Sequence, residues 1–299
     1  MVAYRGFIVW GVSTSVVMSL FLSFVFLGWP GDPDSCAENN PNTCFCEAFN
    51  AREVKEGAPG VRQKVNTWSN LYAIGTSLLV AFMVWGDRKK AGPRAKNLMQ
   101  STSWVPDLYI FAVLYLGLGS MWLHASLKSW GSTMDGLSMY AYAAFLFFYS
   151  MRRRFVKNCW FFWGGYLSTV ALFTSIHHFW KDEFEFASLI LIMILVVAYL
   201  VVEVAIWVVN KQVLQGKLRT ITMWCSAVAA MGFATAFWAL SQTGEPLCDP
   251  KAFFQPHGLL WHPLAGVMAV MLYFYWREAD DAKIGLDSRN THHQGSRHA

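Results

Sequence analysis

Titratable side chains within otherwise apolar stretches of this chain include His124, Asp135, His177, His178, Glu203, His257 and His262. Such groups are costly inside a membrane-length apolar run, so each is a candidate for function. Three imidazoles, a carboxylate and one open coordination position make a catalytic zinc set. His124, His257 and His262 with Asp135 could supply it, and Ser120 lies four residues before His124, on the same helix face. A single histidine near a helix end is more often an interfacial side chain than a ligand. Two histidines in the short stretch Pro256-His-Gly-Leu-Leu-Trp-His262 are harder to leave idle. His177 and His178, beside Trp180-Lys-Asp-Glu183, read more simply as interfacial, and Glu203 is too distant in sequence depth to join the histidines; it could snorkel or pair with a cation.

The elements that must position these groups follow from composition. Of 299 residues, 55% are hydrophobic and only 14% charged, against about a quarter charged in a typical soluble domain. A bilayer core needs roughly 20 apolar residues in a helix. Eight runs qualify: Phe7–Trp29, Trp68–Trp85, Val105–Leu127, Ser132–Ser150, Trp160–Phe179, Phe186–Val209, Ile221–Leu240 and Pro256–Trp276. Each must be helical, because unpaired backbone groups are too costly in lipid. The fold class is therefore all-α, a polytopic transmembrane helical bundle. Residues 1–30 read as an anchor helix, 31–65 as an outside cysteine-containing loop, acidic and free to act as a cap, 66–278 as the main bundle and 279–299 as a disordered tail. A cleaved signal is the alternative for the first helix, since Arg5 precedes an apolar run. The run is long for one, however, and no small-x-small cleavage site follows.

Basic residues set the orientation. Arg88, Lys89, Lys90, Arg94 and Lys96 follow the second run; Arg152, Arg153, Arg154 and Lys157 follow the fourth; Lys211, Lys217 and Arg219 follow the sixth; Arg277, Lys283, Arg289 and Arg297 follow the eighth. The positive-inside rule then places both termini in the cytoplasm and His124, Asp135, His257 and His262 toward the outer leaflet. The net charge of +5 is topology and points to no nucleic-acid partner. Cys36, Cys44, Cys46 and Cys248 fall outside, where they could form two bridges, remain thiols or, less readily, make a zinc knuckle.

At these residues the chain resembles the alkaline ceramidases, members of a superfamily that includes adiponectin-type receptors and lipid-remodelling hydrolases. The resemblance is carried by Gly117-Leu-Gly-Ser-Met-Trp-Leu-His124, Met134-Asp-Gly-Leu-Ser-Met139 and Leu260-Trp-His262, with Asn66-Thr-Trp-Ser-Asn70, Cys46-Glu47 and Leu247-Cys-Asp-Pro250 in support. It runs from about Cys46 to Trp276 and implies a seven-helix core, to which the first helix is an addition. It further implies that His124, His257 and His262 bind zinc, that Asp135 holds and deprotonates the attacking water, and that Ser120 assists at the oxyanion. With their shared outside location, it pairs Cys46 with Cys248; Cys36 with Cys44 would be a second bridge.

There are two departures from the family pattern. The last two histidines are five residues apart instead of four, with Gly258 at the family position. In a regular helix five residues diverge by about 140°. A local π-turn would bring them together; otherwise His177 or His178 would substitute for His257. Relatives also hold calcium near the counterpart of Cys46-Glu47. Here Gln63 stands where a Glu is expected and Asn50 is shifted by one residue, which leaves too few oxygen ligands to assert a Ca2+ site. The expected activity is zinc-dependent hydrolysis of the N-acyl amide of a ceramide-like membrane lipid. The alternatives are a lipid esterase or phospholipase of the same superfamily and a receptor-like lipid binder. A transporter is disfavoured, because the titratable groups form no path across the membrane.

Overall fold

The computed structural model describes residues 2–39, 43–91, 97–156, 158–180, 187–209 and 218–278. The tail 279–299 and much of the basic loops used for orientation lie outside those residues. Among the described residues there are eight long helices: α1 Arg5–Leu27, α2 Tyr72–Ala91, α3 Val105–Ser126, α4 Ser129–Arg154, α5 Cys159–Trp180, α6 Ala187–Val209, α7 Leu218–Leu240 and α8 His262–Glu278. All eight expected runs become helices, with ends moved by a few residues.

Seven of them are long and apolar enough to cross a membrane, so the chain is a multi-pass membrane protein. The exception is α4, which carries Ser, Thr, Tyr, Gly and Asp along its length. Its polar side chains face α3, α5 and α6, and a helix enclosed by other helices need not be apolar all round. Among the seven apolar helices, α3 is the most deeply buried and α1 the least.

The second run divides in two. A short helix, Lys64–Ser69, precedes α2 and is separated from it by a turn at Asn70-Leu71. Helix α1 is fastened at both ends. Arg5 pairs with Asp107 of α3, and Trp10 Nε1 donates to the Ile74 carbonyl at 3.1 Å. At the opposite end Phe21 and Phe24 pack among Trp29, Trp122 and Trp130. The helix stops at Gly28, whose φ of 104° brings its backbone against the Gly57 carbonyl.

The segment 31–65 was expected to move freely as a cap. It is instead folded onto the bundle. Short helices Ser35–Asn39 and Ala51–Glu56 flank a two-stranded hairpin, β1 Thr43–Cys44 and β2 Glu47–Ala48. Disulfides join Cys36 to Cys44 and Cys46 to Cys248. The zinc-knuckle alternative therefore falls, since both cysteines of Cys44-Phe-Cys46 are committed. Cys159 and Cys225 are free and exposed.

Candidate metal centre

Two glycines explain how α3 gathers the site. A side chain at Gly117 would meet Ala73 Cβ at 2.4 Å and the Asn70 carbonyl at 2.7 Å; one at Gly119 would meet Ser138 Cβ at 2.5 Å and the Met134 carbonyl at 2.8 Å. Their smallness lets α2 and α4 approach α3 closely, as small residues do between membrane helices. Ser120 is thereby brought to Asp135 of α4, and the two lie side by side across the α3–α4 contact.

The α8 histidines are reconciled by backbone geometry. Residues His257–Trp261 form a π-turn that leads into α8 at His262. The wider turn places residues five apart on one face, as the spacing required. Gly258 is needed there: a Cβ would stand 2.9 Å from Asn66 Oδ1 and 3.0 Å from Ser69 Oγ.

His124, His257 and His262 come together, all buried, with potential ligand atoms within 4.8 Å of one another. His257 Nε2 is 3.2 Å from His124 Nε2. Two ring nitrogens in the group, His262 Nε2 and His257 Nδ1, are buried without a protein partner. Buried polar atoms are nearly always satisfied, so convergent imidazoles with nitrogens to spare fit a metal ion. Their other contacts orient them. His124 Nδ1 lies 2.7 Å from Gln63 Oε1, and His262 Nδ1 2.7 Å from Ser69 Oγ. Tyr72 stacks on the His262 ring at 6.2 Å.

His177 and His178 do not join this group. His177 packs against Gly136 with Nδ1 3.2 Å from the Tyr140 hydroxyl, and His178 Nδ1 is 3.4 Å from Thr133 Oγ1. Asp135 is half-buried beside Ser120 and lies outside the ligand cluster. Glu203 is paired at the far end of the bundle with Arg153, and it accepts hydrogen bonds from Ser150 and Tyr275.

Three contributors were not anticipated: Gln63, Ser69 and Phe45. Phe45 sits between the two disulfide-bonded cysteines of the hairpin turn, where Phe45 and Cys46 both adopt positive φ, 50° and 66°. This is an unfavourable conformation for residues with a Cβ. It holds the Phe45 ring against His124 at 5.1 Å and His257 at 5.3 Å. The signal in the sequence was Cys44-Phe-Cys46 itself, whose close cysteines pin the turn.

The residues near Glu47 do not fit calcium. Its two carboxylate oxygens accept the backbone N–H groups of Val65 and Asn66, each at 2.8 Å. Burial nonetheless pushes its carboxyl above the usual range. Gln63 turns an NH2 donor toward the carbonyls of Cys44 and Glu47. Calcium requires about six to eight oxygen ligands; among the described residues these oxygens face N–H donors, and Gln63 brings an NH2 where an oxygen would be needed.

The family model described as Ceramidase matches residues 59–292. That match takes in every residue of the histidine cluster and leaves α1 and the hairpin outside it. No curated protein sequence matches closely enough to add a relative.

Proposed function

The chain belongs to the ceramidase family, and from that footing we propose that it is a zinc-dependent amidohydrolase. It cleaves the N-acyl amide of ceramide-type sphingolipids to a fatty acid and a sphingoid base. The observation that carries this reading is the convergence of three buried imidazoles, two with unpartnered nitrogens, beside the Ser120–Asp135 pair.

Zinc held by His124, His257 and His262 would supply what an amide most needs, polarisation of its acyl oxygen and a more acidic water. The protein's own groups do the rest. Asp135 accepts the proton from the attacking water as oxygen adds to the acyl carbon. It then delivers that proton to the leaving nitrogen as the C–N bond breaks. The Ser120 hydroxyl, already at Asp135, is placed to hydrogen-bond the oxygen that gains negative charge. The Phe45 ring covers the ligands His124 and His257 and limits bulk water there.

Orientation belongs to the same proposal. Arg88, Lys89 and Lys90 end α2, Arg152, Arg153 and Arg154 end α4, and Arg277 ends α8. All lie at the end of the bundle far from the histidines. By the positive-inside rule that end, with both termini, faces the cytoplasm, and the site opens toward the outer leaflet, periplasmic or lumenal. A lipid then enters sideways, its head group at the interface and its amide a few ångströms below.

The test is a lipid panel on purified full-length protein. Fatty acid release from ceramide, abolished by a zinc chelator and restored by zinc, is the expected result. Release from phospholipid esters alone would move the protein to the esterase reading. Tight lipid binding without turnover would move it to the receptor reading.

A further inference from the structure

The Asn66-Thr-Trp-Ser-Asn70 stretch has so far no chemical role, although it lies against the metal centre. We propose that Gln63 and Ser69, at the two ends of this short helical segment, are positioning residues that set the ring tautomers of His124 and His262. Both rings thereby present Nε2 as the ligand atom. The inference rests on the zinc reading and adds to it which residues orient the ligands.

For Gln63 the amide orientation follows from its partners. Its nitrogen donates to the backbone carbonyls of Cys44 and Glu47, the latter at 3.0 Å. Carbonyls can only accept, so the NH2 must face them and Oε1 must face His124. Oε1 also can only accept. The proton at the 2.7 Å contact therefore belongs to His124 Nδ1, and Nε2 keeps its lone pair.

Ser69 gives the same result for His262. Its hydroxyl has one hydrogen, which the Asn66 carbonyl takes at 3.1 Å. The oxygen then accepts from His262 Nδ1 at 2.7 Å. His262 Nε2, buried and without a protein partner, is left with its lone pair. Hydrogen bonding at the second ring nitrogen is the general means of orienting a metal-bound imidazole.

The segment is braced to keep this geometry. Glu47 accepts the N–H groups of Val65 and Asn66 at the start of the helix. Asn70 Nδ2 closes its end on the Asn66 carbonyl at 2.8 Å. The π-turn rests on Asn66 and Ser69 through the gap left by Gly258. The disulfide-bonded hairpin, through the Cys44 and Glu47 carbonyls, is thus connected to His124 by a single side chain.

The experiment measures zinc affinity of full-length protein in detergent by competition with a chromophoric chelator. It also records the thermal midpoint of the zinc-free form. Ser69→Ala should weaken zinc binding by about 10–100-fold with an unchanged zinc-free midpoint, and Ser69→Thr, which keeps the hydroxyl, should restore most of the affinity. Gln63→Leu should weaken zinc binding similarly, and Ser69→Ala carries the same test independently of the Gln63 loop. Wild-type zinc affinity in Ser69→Ala overturns the proposal, as does a fall in the zinc-free midpoint with no change in affinity. Weakened zinc binding in the variants, in a protein that hydrolyses no ceramide, supports the inference and overturns the functional reading. A wild-type protein that binds no zinc overturns both.

Discussion

The two ends of the bundle treat buried polar groups in opposite ways. Helices α3, α4 and α8 each carry a polar cluster at either end; on α3, Asp107 and His124 are separated by roughly 25 Å of helix. At one end the carboxylates are matched. Arg88 bridges both oxygens of Asp107 at 2.8 Å, and Arg5 adds a second cation. Arg153 meets Glu203 at 2.7 Å, and Arg277 meets Asp87 at 2.7 Å. At the other end three imidazoles converge, two of their ring nitrogens without a protein partner. Paired charge inside a bundle joins helices. Imidazoles whose ligand atoms lie within 4.8 Å of one another, with two ring nitrogens unpartnered, suit a metal ion. Burial of titratable groups alone would have marked both ends as functional; the completeness of pairing separates them.

That contrast predicts separable effects. The largest belongs to the histidine end. Asp135→Asn should keep zinc and lower kcat by about 10²–10⁴-fold, since an amide cannot take the water's proton. Activity near wild type would leave Asp135 a structural residue.

At the paired end the expected effect is on stability. Glu203→Ala leaves the Arg153 cation buried and should cost about 3–5 kcal/mol, whereas replacing both partners by apolar residues should recover much of it. Unfolding in mixed detergent would measure this, and metal content of the folded fraction should not change. Loss of zinc in Glu203→Ala with stability intact would erase the distinction between the two ends. A smaller effect is expected at the seam between the π-turn and the Lys64–Ser69 helix. Gly258→Ala should cost about 1–3 kcal/mol by overpacking against Asn66 and Ser69 and should weaken zinc binding as well. An unperturbed Gly258→Ala protein would mean that the close approach is not required.

Much of this was legible in the sequence for one physical reason: titratable residues are conspicuous in apolar runs. That is why His124, Asp135, His257 and His262 are legible from the sequence; Ser120 follows from its four-residue spacing to His124 and from the resemblance to the family. The five-residue spacing of the last two histidines, with Gly258 between them, left two readings, a π-turn or His177 or His178 in place of His257, and the backbone adopts the π-turn. The run Ser132–Ser150 was recognised by its near lack of charge, although its polar composition makes α4 the one long helix that is not apolar enough to cross by composition. Gln63, Ser69 and Phe45 were not legible as contributors. Gln63 and Phe45 lie outside the runs and Ser69 at the start of one, where a polar or aromatic side chain is ordinary and its role depends on which backbone carbonyl or ring it meets. The segment 31–65 was misread for a related reason. Its acidic, glycine-containing composition suits a mobile cap, whereas its two disulfides and the Glu47 and Gln63 hydrogen bonds hold it down. Glu203 was left between snorkelling and pairing because its partner, Arg153, lies on another helix.

The central claim is that His124, His257 and His262 hold a catalytic zinc ion, and His257 is where it is most exposed, since His177 or His178 was the alternative ligand, of which His177 is the buried one. Metal analysis of purified wild type, His257→Ala and His177→Ala tests it directly. About one zinc per chain is expected in wild type and in His177→Ala, with most of it lost in His257→Ala. Full occupancy in His257→Ala, or loss in His177→Ala alone, would contradict the account.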